Sequence, residues 1–110
     1  MARKNTTQVA AAFNRGQPLK SCKAIWTDGS TIFSYGTAIM VRLNSGRTIA
    51  NRTSYSVTTS VHQNGLSYLL AQPDYTVTDI PMGASRATLI DAAIRLPLAP
   101  ESLPAKWVSA

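Results

Sequence analysis

The chain has one cysteine and one histidine, Cys22 and His62. A closed tetrahedral zinc site needs more ligands of that type, so one is nearly excluded. A lone cysteine forms no internal disulfide, which fits a reducing cytoplasm. Acidic residues are scarce, five against eleven Lys and Arg, and none sits in a recognisable carboxylate motif. No apolar run approaches the ~18 residues of a membrane span, and the basic start is followed by no apolar signal core. A nucleophile elbow, a phosphate loop and a dinucleotide-binding glycine motif are all missing. Ser60 and His62 are two apart and diverge on a helix, so they make no catalytic pair. These absences predict a non-enzymatic protein with no catalytic residues, cofactor, metal or membrane association.

What is present is a globular composition with a charge excess. The 110 residues are 45% hydrophobic and carry a formal charge of +6. This predicts one domain over 1–110, with 1–5 as a mobile arm and the Pro-containing stretch 97–110 as an extended tail. The excess is one-sided. Residues 1–52 hold Arg3, Lys4, Arg15, Lys20, Lys23, Arg42, Arg47 and Arg52 against Asp28, a net +7. Residues 53–110 hold Arg86, Arg95 and Lys106 against Asp74, Asp79, Asp91 and Glu101, a net −1. Such asymmetry points to an acidic partner for one part of the surface.

The elements read as α+β. An Ala-rich segment at 6–15 predicts a helix capped by Asn5, Thr6 or Thr7, with Val9 and Phe13 sharing a face. Residues 23–26 and 31–35 flank Asp28-Gly29, a hairpin signal. Gly36 marks a further break or a bulge. Strands follow at 37–43 and 47–52 around Asn44-Ser45-Gly46, although Ala38, Met40 and Arg42 alternate imperfectly with Ile39, Val41 and Leu43. One more strand is expected at 75–80 and a helix at 84–96, with Leu89, Ile90, Ala93 and Ile94 as its stripe. The predicted fold is an antiparallel meander of about four or five strands with an N-terminal helix and one or two later helices. Residues 54–72 admit two readings. One is a helix from Ser60, with Gln63 completing a capping box. The other is a hairpin turning at Asn64-Gly65. The Leu-rich segment SYLLAQ at 67–72 is a better helix end than a strand and favours the helix.

The central stretch also carries a resemblance. Thr27-Asp28-Gly29, then Ser34-Tyr35-Gly36-Thr37, Asn51, and the string from Tyr55 to Gln63 (YSVTTSVHQ) resemble a small domain of tailed-phage genomes. In that pattern Asn alternates with Gly at the third position of the Ser-Tyr-Gly-Thr element, and Lys often stands where this chain has Val61. The resemblance implies a phage or prophage origin, and with it the cytoplasm of a bacterial or archaeal host. No activity is known for that family, so it implies no reaction.

Three kinds of work fit these residues. The first is nucleic-acid binding by backbone charge. Lys23, Arg42, Arg47 and Arg52 would contact phosphates, Tyr35 and Tyr55 would stack on bases, and His62 would add a donor or a ring. Trp26, Phe33, Tyr68 and Tyr75 belong to the same aromatic inventory, and each also has a plain reading as core. The second is a protein-interaction module that binds a host or phage protein through an acidic patch, with Leu103 and Trp107 of the tail as anchors. The third is a virion component. A domain this small also suits a homo-oligomer.

Overall fold

The structure, a computed structural model, describes residues 4–20 and 22–95. The predicted tail at 97–110 and the first three residues of the basic arm lie outside the described residues. Three helices and five strands follow in the order α1 (Lys4–Asn14), β1 (Ile25–Thr27), β2 (Thr31–Ser34), β3 (Thr37–Arg42), β4 (Thr48–Asn51), α2 (Val57–Leu69), β5 (Tyr75–Val77) and α3 (Arg86–Ile94). The strands form one sheet in sequence order, β1 to β5. The α+β expectation holds.

The sheet carries a core on each face. Below it, α1 and α2 close over Ile25, Ile32, Ile39, Met40 and Ala50 with Val9, Ala10, Phe13 and Leu66. Above it, α3 lays Leu89, Ile90 and Ala93 on Ala38, Val41, Leu43, Ile49 and Val77. Each fully buried Ile or Leu side chain contributes about 1.5–3 kcal/mol relative to exposure. The imperfect alternation of the third strand has a physical cause. Ile32 faces Met40 while Phe33 faces Ala38, so Ile39 is an extra residue on β3. This bulge lets Ile39 and Met40 point to the same face.

The turns follow the local chemistry. At the β1–β2 loop, Asp28 Oδ1 accepts from the Ser30 and Thr31 amides at 3.0 and 2.8 Å. Gly29 has φ +107°, and a Cβ there would lie 2.8 Å from the Gly16 carbonyl oxygen. Glycine answers both the dihedral and the close approach. Between β2 and β3, Tyr35 (φ 49°) and Gly36 (φ 79°) are both left-handed, as a two-residue primed hairpin turn requires.

Three expectations need correction. The sheet is not antiparallel throughout: β5 pairs parallel with β4, Ile49 facing Tyr75. The residues from 52 to 74 give the crossover length that parallel pairing needs, and α2 fills it. For residues 54–72 the helix reading holds and the hairpin does not. Its cap is Ser56 rather than Ser60, the Ser56 side chain accepting from the Thr59 amide. Gln63 therefore sits in mid-helix and completes no capping box. Lys4 and Asn5, expected to lie in the arm, belong to α1, whose buried face already includes Thr6.

Candidate nucleic-acid interface

The polar string from Tyr55 to Gln63 and its partners converge on one corner, where α2 begins beneath the β2–β3 turn. Ser34 Oγ lies 2.7 Å from His62 Nδ1 and 3.2 Å from Thr59 Oγ1. Ser56 Oγ is a further 3.2 Å from Thr59 Oγ1. The Tyr35 ring stacks over His62 with centroids 6.0 Å apart. A second web adjoins the first. Asn51 Nδ2 donates to the Ala38 carbonyl at 3.0 Å and to Tyr55 Oη at 2.9 Å. Tyr55 Oη donates to the Ile80 carbonyl at 2.6 Å. Gln63 Nε2 donates to the carbonyls of Asn51 and Thr53 at 2.7 and 3.1 Å.

Ser34, Asn51, Thr59, His62 and Gln63 are all buried. Burying polar groups is tolerable when they are paired, and here they tie the strands and α2 together. The corner also borders a cavity of about 310 Å³ lined by Ser34, Tyr35, Tyr55, Thr58 and Met82 among others. Tyr55 and His62 are thus structural in position, while Tyr35 keeps an exposed edge.

The basic residues chosen from the sequence do not form one patch. Arg42 is half-buried. Its Nη1 donates to the Gly29 carbonyl at 3.0 Å, its Nη2 donates to the Phe13 carbonyl, and its guanidinium lies 4.1 Å from the Phe13 ring centroid. It pins the end of α1 to the β1–β2 loop, where a cation also suits the helix C-terminus. Arg47 Nη1 donates to Tyr75 Oη at 2.7 Å. Arg52 is exposed beside α2, lining a shallow dent with Gln63, Ser67 and Ala71. Lys23 is exposed at the opposite edge, next to β1. Three strand spacings separate β1 from β4, roughly 14 Å.

At the Lys23 edge the structure gathers residues that sequence spacing had left apart. Trp26 and Phe33 are cross-strand partners. Their rings stack 4.3 Å apart at 18°, and Lys20 Nζ sits 4.8 Å over the Trp26 ring. Lys20, Cys22, Lys23 and Trp26 line an open groove of about 190 Å³. Helix α3 packs over β3, β4 and β5, and the stacked pair lies half-buried beside it on β1 and β2. Arg86 of α3 reaches toward the same two strands, Nη1 donating to the Ser30 carbonyl at 3.3 Å and to Thr31 Oγ1 at 3.4 Å. Burial lowers its pKa, Asp28 opposes that shift, and the Arg42 charge adds to it. Counting outward from the Asp28-Gly29 loop pairs Trp26 with Phe33 when the loop is taken as the four residues 28–31.

Among the described residues no cluster of His, Cys, Asp or Glu is arranged to hold a metal ion, and no helix is long and apolar enough to cross a membrane. No family model, curated protein or solved structure matches the chain.

Proposed function

We propose that this protein binds nucleic acid without catalysis, and that the surface it uses is the β1–β2 end of the sheet. The observation that carries this reading is the stack of Lys20 on Trp26 on Phe33 beside Lys23. Lys20 is exposed, and an exposed lysine over a ring is worth about 0.5–1 kcal/mol. A base stacked on an aromatic side chain is worth about 1–3 kcal/mol. A base that displaces Lys20 from Trp26 therefore gains on exchange, and the freed ammonium can meet a phosphate of the same strand. A duplex hides its base faces, so this arrangement favours single strands. The +7 of residues 1–52 supports the reading by drawing any polyanion to this half of the chain. A phage-type protein working in a host cytoplasm suits it, and that setting is part of the proposal.

Fluorescence-anisotropy titration of labelled single- and double-stranded DNA and RNA, at about 50 and 200 mM salt, tests it. The expected result is micromolar or tighter binding to single strands that weakens steeply with salt. Absence of binding to all four at low salt would refute it and move the search to an acidic protein partner.

A further inference from the structure

The exposed large apolar side chains among the described residues are Tyr35 (57%), Val57 (83%), Tyr68 (80%) and Met82 (75%). They gather at α2. Val57 and Tyr68 are on the helix itself, while Tyr35 and Met82 line the cavity at its N-terminal end. The same region lacks charge: residues 53–73 include no Asp, Glu, Lys or Arg. A surface helix normally carries charged residues on its outer face. Here that face presents Val57, Val61, Asn64 and Tyr68, spaced four, three and four apart, which puts them in one row.

We infer that this row is the contact between two copies of the chain. Charge selects the occupant. Each copy carries +6, so most approaches between two copies bring like charges together. The α2 row is uncharged and lets them meet without that penalty. It offers an acidic partner nothing, since the nearest cation lining a groove on this helix, Arg52, lies on its flank with Gln63 and Ser67. The row is also self-complementary. With two α2 helices antiparallel about a two-fold axis between Val61 and Asn64, Val57 of each copy meets Tyr68 of the other, and Val61 meets Asn64. The Trp26–Phe33 surface lies on the sheet face away from α2, so pairing leaves it open in both copies.

Sedimentation velocity on nuclease-treated protein, from about 10 to 500 µM and at about 0.1 and 0.5 M salt, reads this directly. The expected result is a mass rising from one chain, 11.8 kDa, to twice that, with tighter pairing at the higher salt because repulsion is screened. The double variant Val57→Lys/Tyr68→Lys alters only exposed positions, should keep its circular dichroism, and should remain at one chain. In a Cys22→Ser background, Val57→Cys/Tyr68→Cys should form an interchain disulfide under mild oxidation. A wild-type mass fixed at one chain throughout would overturn the proposal, as would a dimer undiminished in the lysine variant. Salt acts in opposite directions on pairing and on nucleic-acid binding, so the two readings fail independently.

Discussion

His62 and Ser34, 28 residues apart in sequence, meet at 2.7 Å beneath the Tyr35 ring. The contact ties α2 to the hairpin of β2 and β3, and it makes the single histidine a structural residue. Ser34→Ala takes the hydroxyl away from a buried ring nitrogen. Such a loss costs about 1–3 kcal/mol. For a domain of this size each kcal/mol lowers Tm by about 4–8 °C. Thermal denaturation should show that fall. Nucleic-acid affinity of the folded variant should be unchanged, since Trp26 lies on the other face of the sheet.

Thr6 offers the reverse case. Its side-chain oxygen is buried on α1 with no hydrogen-bond partner among the described residues. Thr6→Val keeps the shape and removes an unsatisfied group that costs about 1–3 kcal/mol when buried. The variant should melt at a higher temperature than the wild type. A lower Tm would mean that the hydroxyl is satisfied in solution.

Arg42 and Lys23 separate stability from binding. Arg42→Met frees the Gly29 and Phe13 carbonyls of their partner and should lower stability by about 1–3 kcal/mol, while the slope of log affinity against log salt stays as it was. Lys23→Ala should do the opposite. Its stability should hold, and the slope should fall by about one, as for one lost phosphate contact. Chemical denaturation and salt-dependent titration of both variants check the division.

Much of the architecture was legible because local chemistry and packing agree. The Ala-rich helix with Val9 and Phe13 inward, the Asp28-Gly29 turn, and the Leu89, Ile90 and Ala93 stripe each follow from a short-range rule. Asp91 and Arg95, four apart at the end of α3, close at 2.8 Å, as that spacing favours. The parallel seating of β5 was not legible, because strand direction depends on where α2 returns the chain, which no spacing within 75–80 records. The uneven apolar pattern of 37–43 signalled an irregularity, but only pairing with β2 shows that Ile39 is the extra residue. Side-chain roles were less legible still. Arg42 reads as a surface cation until the end of α1 is placed beside it, and Tyr55 reads as a stacking face until its hydroxyl is seen on the Ile80 carbonyl. Trp26 and Phe33 were visible as aromatic residues, but their stacking is a fact of register.

Gly29→Ala tests the loop that sets this register. The new Cβ would meet the Gly16 carbonyl oxygen at 2.8 Å in a backbone with φ +107°. A strained left-handed residue costs on the order of 1–3 kcal/mol, and the backbone contact adds to it. Because the loop holds Trp26 opposite Phe33, the variant should lose both thermal stability and affinity for single strands.

The most direct measurement compares Trp26→Leu with Tyr35→Ala in the anisotropy titration, using one labelled single-stranded oligonucleotide at about 50 mM salt. Leucine keeps apolar bulk but has no π-face. Loss of one base stack, about 1–3 kcal/mol, corresponds to a roughly 5- to 150-fold weaker Kd. Trp26→Leu should show a loss in that range, while Tyr35→Ala should bind within about twofold of the wild type. A Trp26→Leu protein that is folded and binds like the wild type would contradict the account.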